Sequence, residues 1–142
     1  MTDQERREDK RQYVRLEAVV PVDFTIVRLQ GDLPGLSWQR GHTRNVSQAG
    51  LGLETEHLDE STIVFLNKEQ IYLDVRLHVD GHEPLKAVCE VVWHEPLEDE
   101  DTGRYLLGLR FRSIAAQDLR RLMIRARWKN LRRKMLSWRR GG

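Results

Sequence analysis

The stretch IYLDVRLHVDGHEPLKAVCEVVW, residues 71–93, decides the fold class. Ile71, Leu73, Val75, Leu77 and Val79 alternate with polar or charged neighbours, and Leu85, Ala87, Cys89, Val91 and Trp93 repeat the period of two after Asp80-Gly81. A period of two puts every second side chain on one face of a strand, whereas an amphipathic helix needs apolar residues three and four apart. Asp-Gly tolerates the positive φ of a tight reversal. The stretch therefore reads as a β-hairpin with one face turned to a core.

The same pattern extends outward in both directions. Upstream, Leu51 and Leu53 mark a short strand, and residues 37–44 mark another that ends at a loop over Asn45 to Gly50. Before them, Gly31 to Gly35 reads as a turn, and Val20, Val22, Phe24 and Ile26 form one face of an opening strand, with Pro21 at an edge or bulge. Downstream, the acidic stretch from Glu95 to Gly103 is a loop, and Tyr105 to Phe111 makes the last strand. An open sheet of about six such strands would leave two unpaired edges, which closure removes. The expectation is a mainly β chain built as a six-stranded antiparallel barrel.

After Ser113, read as a helix N-cap, the period becomes helical. Leu119, Leu122, Met123 and Ala126 share a stripe that Leu131, Met135 and Trp138 are read to continue, giving a long C-terminal amphipathic α-helix. Charge divides the 142 residues at the same place. Residues 1–112 carry 14 Lys and Arg against 21 Asp and Glu, a net −7; residues 113–142 carry 10 against 1, a net +9. The chain accordingly reads as a barrel over 1–112, preceded by an arginine-bearing arm of about residues 1–15, and a basic helix over 113–142.

Composition excludes several classes. No apolar run approaches the ~20 residues that span a bilayer, and the opening MTDQERREDKRQ lacks a signal peptide's apolar stretch, so a cytoplasmic chain is expected. One cysteine cannot form an internal disulfide framework, and Cys89 sits in an apolar alternation as a core thiol. Trp93 reads as a core or barrel-rim aromatic. His78 and His82 stand four apart, but the Asp80-Gly81 turn between them breaks the helical geometry a metal pair needs; His42, His57 and His94 are scattered. Ser47 has no nucleophile elbow, and no phosphate loop occurs. These readings give no catalytic residues, no metal and no cofactor, hence no enzyme.

Two short motifs remain. Arg11-Gln-Tyr-Val-Arg15 precedes the opening strand, and Asn45-Val-Ser47-Gln-Ala-Gly50 precedes the strand of Leu51. With Val-Val-Trp93 and Gly108-Leu-Arg-Phe111 they make residues 7–111 resemble the PilZ family of bacterial cyclic di-GMP receptors. The resemblance implies a PilZ-type barrel and ligand contacts at Arg11, Arg15, Asn45, Ser47 and Gly50, with Lys10 at the position associated with holding one ligand or a stacked pair. A cation there favours the pair. Arg7-x-x-x-Arg11 is a competing register, and the later pair is preferred because Arg15 directly precedes the strand at Leu16.

The ligand's chemistry suits those residue types. An arginine fork matches the O6 and N7 acceptors of guanine and serves phosphate as well, while the opposite edge's N–H groups need acceptors such as an amide or hydroxyl oxygen. The resemblance implies a receptor that orders its arginine arm on binding and signals to a protein partner. The basic helix is the candidate contact for that effector, with a membrane surface as a second candidate. The rival reading is a nucleic-acid-binding barrel with a basic helical tail, disfavoured because it gives Asn45 and Ser47 no role.

Overall fold

The computed structural model describes residues 15–27, 38–58, 60–66, 71–81, 83–97 and 103–141. Its strands are β1 (Leu16–Glu17), β2 (Pro21–Val27), β3 (Gln39–Val46), β4 (Gly50–Thr55), β5 (Tyr72–Leu77), β6 (Leu85–Pro96) and β7 (Tyr105–Ile114), with helices α1 (Glu60–Leu66) and α2 (Ala116–Gly141). Antiparallel neighbours run β3-β2-β5-β6-β7-β4, and pairing of β4 back onto β3 closes the ring. The chain is a six-stranded antiparallel barrel with a C-terminal helix. The short β1 adds to β3 beyond the end of β2.

The hairpin at residues 71–93 forms as its alternation requires. β5 and β6 pair from Leu77↔Leu85 to Tyr72↔Glu90, Gly81 takes φ +77° in the turn, and Leu73, Val75, Leu77, Leu85, Ala87 and Cys89 are buried. Burial, with the charge of Asp74 adding to it, pushes the Cys89 thiol up to about 12. On β2, Val22, Phe24 and Ile26 point inward and meet Leu53, Leu107 and Leu109 in one core.

The alternation misplaces two residues, both at bulges. Residues 45 and 46 belong to β3 rather than to the loop, because an irregularity between Thr43 and Asn45 inserts a residue and resets which side chains face inward. A second, between Val91 and Trp93, turns Trp93 out of the core onto the outer face, 42% exposed.

Two helical features also differ from the sequence reading. Ser113 lies inside β7 opposite Val88, so it does not cap α2, whose first turn instead begins with Leu119 N–H donating to the Ala115 carbonyl at 3.0 Å. α1 carries no signal long enough to read, being seven residues rich in β-branched types, yet Leu58, Thr62 and Leu66 at helical spacing are all buried. α2 packs on β1 and β6, burying Leu122, Met123 and Ala126.

Between β1 and β2 the chain leaves regular pairing over residues 18–20, and the fully buried Thr43 stitches the break. Its hydroxyl accepts from Val20 N–H at 2.9 Å and donates to the Ala18 carbonyl, while its own N–H donates to the Val20 carbonyl at 2.9 Å. Thr43→Val keeps the shape but strands both backbone groups, each worth about 1–3 kcal/mol when buried unpaired. We expect Thr43→Val to lose about 2 kcal/mol or more in urea unfolding, and Thr43→Ser, which keeps the hydroxyl, to lose distinctly less. Equal stabilities of the two variants would show that the stitch contributes nothing.

Candidate functional site

The ladder between β1 and β3 brings the segment that follows Arg15 to the strand that carries the start of the second motif. Leu16 pairs with Val46 and Glu17 with Asn45, and Arg15 directly precedes this ladder. Arg15 is exposed there. Lys10, Arg11 and the alternative Arg7 lie outside the described residues.

Asn45 is half-buried on the outer face of β3, turned outward by the bulge, opposite Gly52 of β4. Its amide lies over that glycine: a Cβ on Gly52 would stand 3.2 Å from both Asn45 Oδ1 and Nδ2. The next strand repeats the arrangement. Gly52 pairs with Gly108 of β7, Gly108 pairs with Trp93 of β6, and the indole covers Gly108 so closely that a Cβ there would be 2.1 Å from Nε1. Two adjacent glycines thus let an amide and an indole lie flat against the sheet from opposite sides. Trp93 was legible only as a core or rim residue; the glycine at position 108 opposite it is the signal that would have placed it outside.

Ser47 and Gly50 have structural tasks of their own. The Ser47 hydroxyl accepts from the N–H of Ala49 at 3.2 Å and of Gly50 at 3.3 Å and donates to the Gly50 carbonyl at 3.3 Å, while Ser47 N–H reaches that carbonyl at 2.8 Å. A hydroxyl has one proton and two lone pairs, so this turn occupies all of its bonding capacity. Gly50 makes room for β7 backbone, since a Cβ would fall 1.9 Å from the Leu109 carbonyl oxygen. The loop is therefore shaped by both residues, and Asn45 is the acceptor that faces outward.

Next to Asn45 lies a charged cluster that the sequence did not announce. Glu54, nearly buried, receives Arg104 Nη2 at 2.5 Å, with His42 Nε2 at 3.4 Å and Arg44 Nε at 3.5 Å. Two arginines and the His42 ring, from β3 and the entry to β7, converge on one carboxylate, which ties together the strands around Asn45. Farther round, His78 meets Asp23 at 2.7 Å, and no group of His, Cys, Asp and Glu suited to a metal ion occurs among the described residues.

The chain is thus a closed antiparallel barrel of six strands, with an arginine ahead of β1 and an Asn-x-Ser-x-x-Gly sequence running from β3 into β4. Over residues 5–126 the chain matches the PilZ domain, and it belongs to that family. Among solved structures it is similar to the PilZ domain of YcgR from Escherichia coli, solved with c-di-GMP, at TM-score 0.60 and 14% identity over 90% of this chain and 96% of that one. It is also similar to the Bacillus subtilis inhibitor of motility MotI/DgrA, at TM-score 0.54 and 23% identity over 89% of this chain and 52% of that one. No curated protein sequence matches it.

Because the indole covers the buried Gly108 from the outer face of the barrel rather than filling the core, Gly108→Ala should dislodge Trp93 at little cost to stability. The indole N–H resonance of Trp93 is expected to shift in a proton–nitrogen correlation spectrum while the melting temperature stays within a few degrees. An unmoved resonance would show that the ring does not lie on Gly108. Gly50→Ala, facing backbone instead, is expected to lower the melting temperature strongly.

Proposed function

We propose that this chain is a non-enzymatic receptor for cyclic di-GMP, held on the outer face of the barrel between the amino-terminal arginine arm and the Asn45–Gly50 loop. The observation that supports the reading is the β1–β3 register, which pairs Glu17, two residues after Arg15, with Asn45. The similarity to a YcgR domain solved with c-di-GMP supports the same ligand, and the similarity to an inhibitor of motility supports an output through a protein partner.

In this reading Arg11 and Arg15 supply guanidinium forks to guanine O6 and N7 and to phosphate, with Lys10 adding a cation beside them. The Asn45 side-chain oxygen accepts from guanine N–H groups. Ser47 and Gly50 act by holding the loop in shape, and the exposed Trp93 ring offers a stacking surface alongside Asn45. Binding orders the arm, and the ordered arm changes the surface available to a partner, a population shift driven by contacts that exist only in the bound state.

Calorimetric titration tests each part. Arg11→Ala and Arg15→Ala should each weaken cyclic di-GMP binding by more than about 1.5 kcal/mol without loss of fold, and Trp93→Ala by about 1–3 kcal/mol. A harmless Arg15→Ala together with a damaging Arg7→Ala would assign the arm to the other register. Asn45→Ala should also blur the preference over cyclic di-AMP, because adenine lacks the N1–H and N2–H₂ donors that an acceptor reads. Unchanged discrimination would remove Asn45 from the site.

A further inference from the structure

α2 has two apolar faces, and only one of them is used. Leu122, Met123 and Ala126 are buried against the barrel, but Ile124 is 48% and Trp128 67% exposed. Each stands two positions after a buried residue, about 200° around the helix, so these two large side chains point away from the barrel. The helix continues unbroken to Gly141, and in the sequence Leu131, Met135 and Trp138 follow Ile124 and Trp128 at spacings of three and four. By sequence spacing alone these positions share the helical register of Ile124 and Trp128.

Cations border the outward stripe on both sides. By position on the helix, Arg132 and Arg139 lie along one flank, beyond Arg125, which is paired with Asp80, and Arg127 and Lys134 along the other, and Asp118 is the last acid in the sequence. A second copy of α2 would set these like charges against one another, which opposes a coiled coil through the same seam. A specific protein helix would ordinarily be selected by flanking charges of mixed sign, and none is present to set a register. An anionic lipid surface asks for no register. It takes an apolar stripe lined by Lys and Arg whose aliphatic stems lie along the acyl boundary, and it favours tryptophan at the interface, where Trp128 and Trp138 stand at either end of the lower stripe.

We propose that α2 is an interfacial anchor that lays Ile124, Trp128 and the positions in register with them into an anionic bilayer surface. Residues 1–112, at net −7, are repelled by such a surface, so the helix meets it while the barrel stands off. This inference does not depend on what the barrel binds.

The test is co-sedimentation of the full chain with vesicles of equal parts phosphatidylglycerol and phosphatidylcholine, against pure phosphatidylcholine. Binding is expected only to the anionic vesicles, with a blue shift in tryptophan emission and weakening as salt rises. The double variant Ile124→Ser, Trp128→Ser should keep the native circular dichroism spectrum, because both side chains are exposed, and lose at least about tenfold in partitioning. Failure to bind anionic vesicles, equal binding to both kinds, or binding unaffected by the double variant would each overturn the proposal. The last result would mark a purely electrostatic tail of the kind that engages RNA or an acidic protein, and concentration-dependent dimerisation abolished by the double variant, without vesicle binding, would assign the stripe to a second copy.

Discussion

The barrel depends on a single buried hydroxyl at the place where regular pairing fails. β3 must serve three neighbours, and it cannot do so with backbone alone, because the chain between β1 and β2 swings past it over residues 18–20. Thr43 supplies from its side chain a donor and an acceptor that the ladder lacks there. Left unpaired, the Ala18 carbonyl and Val20 N–H would be polar groups in a core, where the cost of each exceeds the net gain of an ordinary hydrogen bond. With them satisfied, β1 can leave the barrel's own rows and lie along the far end of β3, which sets Glu17 opposite Asn45.

That joint connects the two ends of the chain. Lys129 of α2 donates to the carbonyl of Val19 at 2.9 Å, inside the same irregular segment, and Arg125 reaches Asp80 at the tip of the β5–β6 hairpin. These exposed polar contacts add little stability by themselves, and the buried Leu122, Met123 and Ala126 hold the helix in place. What the polar contacts provide is position. Residues 16–20 pair with the end of β3 on one side and carry α2 on the other, so the β1 segment and the helix share one seat.

The sequence disclosed the barrel because half-buried strands write their faces directly as alternation, and it disclosed the hairpin turn because Asp80-Gly81 has the backbone chemistry a turn needs. It failed where parity is reset. Asn45 and Trp93 both follow bulges, and a bulge leaves no mark in hydrophobic pattern except the apparent continuation of the wrong face. α1 was illegible for a different reason: seven residues make too few turns for a helical period to emerge. Ser113 looked like a cap because serine before a helical pattern usually is one, but β7 runs through it to Ile114. At the site, Ser47 and Gly50 were legible as motif members, yet their tasks were not, since the occupied hydroxyl and the close Leu109 carbonyl are matters of three-dimensional closure.

Cys89 carries one further consequence. The one thiol in this sequence is fully buried and, with its ionisation pushed far above neutrality, offers almost no thiolate to an oxidant, a disulfide or a soft metal. In the folded barrel the native thiol is therefore closed to labelling chemistry, and a cysteine introduced on the surface would be the reactive handle for a spectroscopic label.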